Sequence, residues 1–232
     1  MNAYMDMWDR VVAKYSGEYG PCFADYKAKT GLRETILLGR AGEGVWLAGE
    51  LLAAAAIEQG KESKVIFSMP GERRNSPTRS FLRVADTPIH FPASWIHNAD
   101  DVLILEEELA TLSSAVLDLD IPTIIRRMNP DGFCIVNSAK GPGQLQGGIP
   151  GRTVTVDATR ISVELFGSPF FVNLAVIGAY LAAAKVFSLE QLESAIANFT
   201  NPRGHKVLSG KQGERNVAAL RAGYGAARIG RP

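Results

Sequence analysis

In Gly39-Arg40-Ala41-Gly42-Glu43-Gly44 an apolar strand pattern, Thr35 to Leu38, runs into a glycine-rich turn and straight on into a helix pattern. Such a junction suits a phosphate. Glycine lets the backbone turn sharply and approach a ligand, and the unpaired N–H groups of the first helical turn face a bound anion. The spacing GxxGxG differs from the GxGxxG of dinucleotide-binding turns and from a Walker loop, which closes on Gly-Lys-Ser/Thr. On the motif alone, a phosphate-bearing ligand and a ligand-free tight turn both stay open.

A second group of donors follows in Met69-Pro70-Gly71-Glu72-Arg73-Arg74-Asn75-Ser76-Pro77, a polar loop after the second strand. That places Arg73, Arg74 and Asn75 at the carboxyl edge of a sheet, where open α/β sheets bind ligands, and arginine forks suit phosphate or carboxylate. The alternative is a solvated turn whose arginines pair with surface acids. Glu43 opposes an anion in the turn, since two like charges ~4 Å apart at an effective dielectric of about 20 repel by roughly 4 kcal/mol. Either Glu43 points away, pairing with Arg40, or the turn meets something less anionic; as an acid at a helix start it also suits the dipole.

Other candidate chemistry is thinner. Glu106-Glu107-Glu108 sits between a strand and a helix pattern without a histidine or second carboxylate cluster, so the dipole explains it better than a metal. His90, His97 and His205 are scattered, and no Ser, Cys or Asp spacing forms a triad or nucleophile elbow. No complete catalytic site is expected on this chain, and no metal site.

The elements that must hold these residues alternate. Strand patterns at Glu34 to Leu38, Ser63 to Ser68, Arg79 to Val84, Asp101 to Leu105, Phe133 to Val136 and Thr153 to Val156 are interleaved with helix patterns at Gly44 to Gly60, Glu107 to Leu119 and the stretch after Asp157. The first strand, helix and second strand read as a right-handed βαβ unit. Arg79 to Val84 reads as a strand with one wet face, and Asp157 as an N-cap. Helices at Asn173 to Lys185, Ser188 to Asn198 and Lys211 to Arg228 close the chain, the second opened by a Ser188-x-x-Gln191 capping box. The expected fold is α/β, a Rossmann-like open, mostly parallel sheet flanked by helices, with an N-terminal arm and C-terminal helices. Residues 1–30, with a helix at Asp6 to Lys14 broken by Gly17, Gly20 and Pro21, form the arm. Residues 31–232 form a single domain.

Bulk properties narrow the function classes. The 232 residues, 46% hydrophobic and 21% charged, suffice for a sizeable core. A net charge of +1 gives no general reason to expect nucleic acid. The two cysteines, Cys22 and Cys134, lie in no metal-binding spacing. No apolar run reaches the roughly 18 to 20 residues a membrane span needs, and without a secretory leader the expected compartment is the cytoplasm.

Taken in order, these pieces resemble the gamma subunit of the 2-oxoacid:acceptor (ferredoxin-type) oxidoreductases, the pyruvate and 2-oxoisovalerate enzymes among them. The resemblance runs from about Arg33 to Arg228. Family members show a GxGGQGV turn, here Gly39 to Val45, then a glutamate and arginine-glycine-glycine loop, here Pro70 to Ser76. Asn173-Leu174-Ala175-Val176-Ile177-Gly178-Ala179, the helix Ser188 to Ile196 and Arg221-Ala222-Gly223-Tyr224 follow in family order. The resemblance implies one subunit of an enzyme that oxidatively decarboxylates a 2-oxo acid, usually to the acyl-CoA. Thiamine diphosphate, Mg and [4Fe-4S] clusters would sit on partner subunits: an alpha, a thiamine-binding beta and a ferredoxin-like chain. This chain would help bind coenzyme A, through Gly39, Arg40, Ala41, Gly42, Glu43, Gly44, Arg73, Arg74, Asn75 and Asn173.

The chain departs from the pattern at Ala41, at Glu43 where the family has glutamine, and at Asn75-Ser76 for the paired glycines. Two other functions stay in view. A free-standing NAD-type domain would want an acid at the end of the second strand, which instead reads Ile66-Phe67-Ser68. An assembly scaffold would leave the turn without a ligand.

Overall fold

The computed structural model describes residues 22–69, 75–91, 95–114, 119–145, 149, 152–200, 208 and 210–230. Residues 22–30 are helical (α1). There follow β1 (Arg33–Arg40), α2 (Val45–Glu58), β2 (Glu62–Ser68), β3 (Pro77–Ala85), β4 (Asp101–Ile104), a 3-10 turn (Glu107–Thr111), β5 (Ser113–Ser114), β6 (Leu119–Asp120) and α3 (Ile121–Arg126). The second half holds β7 (Phe133–Asn137), β8 (Arg152–Val156), α4 (Ala158–Phe166), α5 (Asn173–Ala184), α6 (Leu189–Asn198), α7 (Gly210–Ala226) and β9 (Arg228–Ile229).

Seven strands form one sheet in the order β2-β3-β1-β4-β7-β8-β9. Its centre, β1-β4-β7-β8, is parallel. The sheet is therefore mostly parallel in direction, as the residue patterns suggest, but its start differs. β3 lies antiparallel between β1 and β2, so β1 and β2 run the same way without touching. A hairpin thus replaces the simple βαβ neighbour pair, because strand periodicity does not encode which strands pair.

β3 also has no wet face: all nine of its residues are buried. Leu82 and Val84 join the α2 side of the core, whereas Phe81 joins the opposite side. The polar positions between them are covered by rings and a counterion. The Arg79 guanidinium lies 4.7 Å from the centre of the Trp95 ring, and Arg83 Nε donates to Glu34 Oε1 at 2.8 Å.

Alternate strand residues feed two apolar layers. Leu37, Leu103, Ile135 and Val154 face α2, α4, α5, α6 and α7, and Leu38, Val102, Ile104 and Val136 face α3 and the 3-10 turn. The expected helix from Glu107 to Leu119 is not formed. Its described residues give the 3-10 turn and then a ladder in which Ser113 pairs with Asp120. Thr111, Ser113 and Ser114 favour turns over helix interiors, and the true helix start is Asp120, whose carboxylate accepts from Thr123 N at 3.3 Å.

Expected caps are formed. Asp157 accepts from Arg160 N at 3.0 Å, and Ser188 and Gln191 satisfy each other reciprocally at 3.3 and 2.7 Å. α5 is buried from Asn173 through Leu181. It crosses α7 at a contact that admits no side chain: a Cβ on Gly178 would lie 2.1 Å from Leu220 O, and one on Gly223 2.0 Å from Ala175 O. The last helix ends at Ala226, and Arg228–Ile229 adds a short antiparallel edge to β8 that the residue pattern did not signal.

The amino edge of the parallel strands is stitched by buried charges. Asp101, fully buried, accepts from Arg33 Nε at 2.5 Å, Arg33 Nη2 at 2.8 Å, Tyr180 Oη at 2.7 Å and Phe133 N at 2.9 Å. α1 docks nearby, with Lys27 Nζ 2.7 Å from Asp100 and 3.3 Å from Glu34. The helix expected at Asp6 to Lys14 lies outside the described residues. Among those described, no helix is long and apolar enough to cross a membrane.

Candidate functional site

The chain leaves β1 toward β2 and β3 on one side and returns as β4 on the other. The carboxyl ends of β1 and β4 therefore flank the topological switch point, the position where open α/β sheets form their ligand crevice. The turn Gly39 to Gly44 forms one lip and Glu106 the other. Arg40 Nε pairs with the Glu106 carboxylate across the gap.

Each glycine of the turn has a steric reason. A Cβ on Gly39 would lie 2.5 Å from Val45 Cγ2. Gly42 and Gly44 hold φ of 110° and 77°, in the region that side chains rarely adopt. Gly44 caps α2 without a side chain, and the first turn of α2 carries no acid. The first helical bond is Ala48 N to Gly44 O at 2.9 Å, so the N–H groups of Val45, Trp46 and Leu47 have no partner within the helix.

Two distant segments complete the lip. Asn173 Nδ2, from the start of α5, donates to Gly44 O at 3.3 Å. Ala41 N donates to Ser76 O at 2.9 Å and Asn75 N to Ala41 O at 3.4 Å, so the end of the expected arginine loop runs beside the glycine turn. Arg40 Nη1 also reaches Asn75 O at 3.3 Å. Gly39, Arg40, Ala41, Gly42, Glu43, Gly44, Asn75 and Asn173 are thus neighbours, and Arg73 and Arg74 lie outside the described residues. His90 and His97 belong to the connection between β3 and β4 at the opposite edge. His205 lies outside the described residues.

Glu43 folds back under the turn. Its Oε2 accepts from Arg40 N at 2.6 Å, while the Arg40 side chain goes to Glu106. Burial is the main reason its carboxyl is raised to about 7; the Arg40 N–H and the Arg40 charge pull the other way, and the Glu106 charge adds to the rise. The sign of the consequence is fixed. The folded value lies above the ordinary carboxylate range, so the unfolded state binds fewer protons between about 4.5 and 7 and stability falls as pH rises through that window. Glu43→Gln is expected to stabilise the chain at pH 8 by about 1–2 kcal/mol, discounted for partial exposure. Thermal melts should show the gain shrinking toward zero as pH approaches 4.5.

The neighbouring acids are occupied. Glu107 accepts from Ser138 Oγ at 2.5 Å and Lys140 Nζ at 2.6 Å, and the hydrogen bond from Lys140, then that from Ser138, holds its carboxyl below the usual range. Among the described residues no three His, Cys, Asp or Glu side chains converge as a metal site would require. A cavity of about 200 Å³ opens beside the crevice, lined by Glu107, Glu108, Val136, Lys140, Leu145 and Ile149.

Two positions here escaped the sequence pattern. Asn137 accepts from Ala158 N and Thr159 N at 3.0 and 3.2 Å and donates to Leu105 O at 2.8 Å, locking three carboxyl-edge segments together. Trp46, exposed in the first turn of α2, lies edge-on to Phe199 at 6.4 Å between ring centres. An asparagine ending a strand and an aromatic in an apolar helix carry no signal that separates such roles from ordinary ones.

Comparison with known proteins covers this whole region. A family model described as pyruvate ferredoxin/flavodoxin oxidoreductase matches residues 34–226. The chain is 32% identical over 165 residues to the pyruvate synthase subunit PorC of Methanosarcina barkeri, covering 71% of this chain and 85% of that one. It is 30% identical over 189 residues to the common gamma subunit of the pyruvate/ketoisovalerate oxidoreductases of Thermococcus kodakarensis, covering 80% and 92%. The crystal structure of pyruvate oxidoreductase subunit PORC from Thermotoga maritima superposes with a TM-score of 0.69 at 26% identity, covering 86% of this chain and 99% of that one.

Proposed function

The chain belongs to the pyruvate ferredoxin/flavodoxin oxidoreductase family, and from that premise we propose that it is the gamma subunit of a multi-subunit 2-oxoacid:acceptor oxidoreductase whose glycine turn forms a coenzyme A edge. The observation that carries this is the span of the match. Residues 34–226 take in the sheet from β1 through β8, the turn and Asn173, and the matched relatives are named as subunits of pyruvate or ketoisovalerate oxidoreductases.

The residues at the crevice suit a phosphate-bearing group in most respects. The first turn of α2 has no side-chain cap, and a Cβ on Gly42 would meet open space. The N–H groups of Val45, Trp46 and Leu47 would face the phosphates, with Asn75 on the other wall, and Arg73 and Arg74 are proposed as further phosphate partners. Bound there, coenzyme A would supply the thiol that accepts the acyl group. Thiamine diphosphate, Mg and [4Fe-4S] clusters belong on the partners: an alpha, a thiamine-binding beta and a ferredoxin-like chain. The complex is read as cytoplasmic, with Cys22 and Cys134 as reduced thiols; burial pushes the Cys134 thiol up to about 12, which leaves it inert.

An NAD-type domain accords less well. The acid that holds a ribose should end the second strand beside the turn, whereas β2 ends Ile66-Phe67-Ser68 and is separated from β1 by β3. Calorimetric titration of coenzyme A into the assembled complex tests the proposal. Arg73→Ala with Arg74→Ala is expected to weaken binding about 10- to 100-fold, the range for losing hydrogen bonds to charged groups. Undiminished affinity would remove that loop from the site, and no binding at all would favour a scaffold.

A further inference from the structure

Glu43 is an acid inside the turn that the proposed reading assigns to an anion. Its carboxyl accepts the Arg40 N–H and lies 3.0 Å from where a Cβ of Gly39 would be, so it is held within the curve of the backbone. Among the described residues, the charges facing it come from two elements. β1 contributes Arg40, whose guanidinium is engaged with Glu106, and the residue after Leu105 contributes Glu106 itself. α2 brings no charge in its first turn, and α5 presents the neutral amide of Asn173. Near β3, Thr78 Oγ1 donates to Gly39 O at 3.2 Å and carries no charge.

We propose that seating a phosphate-bearing ligand at this turn takes up one proton from solvent, and that Glu43 receives it. In the neutral form one carboxyl oxygen keeps the Arg40 N–H, the proton sits on the other, and the turn no longer carries a charge opposed to the ligand. In the charged form the same position repels the ligand. No bond other than the new O–H is made or broken within the protein. The inference rests on the coenzyme A edge and adds its regulation by pH. It also accounts for how a turn carrying an acid can serve an anion: the carboxyl has a midpoint near neutrality, at about 7, so the proton is cheaply supplied.

The test is calorimetry of coenzyme A binding to the assembled complex in buffers of different ionisation enthalpy, HEPES and Tris, between pH 6 and 8.5. The wild-type complex is expected to take up close to one proton per coenzyme A at pH 8 and almost none at pH 6. Its Kd should rise about tenfold per pH unit above 7.5. A complex carrying Glu43→Gln is expected to bind without proton uptake and with a flat Kd over the same range. Wild-type binding with no proton uptake at pH 8, or a Glu43→Gln complex that retains the slope, overturns the inference alone. Absence of binding by both complexes at pH 6 overturns the coenzyme A edge and the proton uptake built upon it.

Discussion

Asp101→Asn is expected to lower the stability of the chain by about 3 kcal/mol, the lower end of the 3–5 kcal/mol typical when one partner of a buried ion pair is removed. The lower end applies because a third of the Arg33 side chain, 33%, is open to solvent, whereas Asp101 has none exposed. The carboxylate accepts four hydrogen bonds, from both arms of Arg33, from Tyr180 and from Phe133 N. An amide can accept at one oxygen and would turn a donor toward a donor. Urea unfolding should show the midpoint falling by more than 1 M with an unchanged slope. Tyr180→Phe, which removes one hydroxyl and leaves the ion pair, should lose less, about 1.5–2 kcal/mol, the lower end for a hydrogen bond to a charged group. A loss below 1 kcal/mol for Asp101→Asn would mean that water reaches the network.

Gly178→Val is the second large effect. Even a Cβ there would sit 2.1 Å from Leu220 O and 2.7 Å from Tyr224 N, both backbone atoms that cannot swing aside. α5 and α7 must separate, and the cost should reach or exceed the 1–3 kcal/mol usual for overpacking. The control is Gly225→Ala in the same helix pair, where a Cβ meets open space and helix propensity should add up to about 1 kcal/mol. The two variants also differ in reach. α5 begins at Asn173, whose amide holds Gly44 O, so displacing α5 should weaken coenzyme A binding as well as the fold. Asp101→Asn acts at the opposite edge and should leave binding unchanged in the fraction that remains folded.

The parts of the fold readable beforehand are those that depend on neighbours in sequence. The glycine turn running into α2, the Asp157 cap and the Ser188 capping box each follow from residues within four positions of one another. What was not readable depends on pairing at long range. β3 reads as half wet because Arg79 and Arg83 alternate with apolar residues, yet Glu34, Trp95 and Phe91 arrive from other segments to cover them. The helix expected after Glu107 dissolves because Leu109, Leu119 and Ile125 reach one core cluster through three short elements rather than one. The Arg33, Asp101 and Tyr180 network joins residues 68 and 79 positions apart.

The candidate site divides the same way. Its lip could be located from the glycines and the strand before them, because φ above zero and close packing demand that residue type. The meeting of Gly44 with Asn173 spans 129 positions and became an expectation only through family order. On sequence alone, Glu43 either points away to pair with Arg40 or leaves the turn to a less anionic partner. The fold divides Arg40 between the two acids, its backbone N–H to Glu43 and its guanidinium to Glu106.

As one subunit of a larger oxidoreductase, this chain should leave its native source attached to the rest of the complex. Affinity purification of the tagged chain from its native source, with thiamine diphosphate and iron assayed in the eluate, measures that directly. Stoichiometric recovery of a thiamine-bearing and a cluster-bearing chain together with both cofactors is expected. A stable lone chain, eluting without thiamine diphosphate or iron, would contradict it.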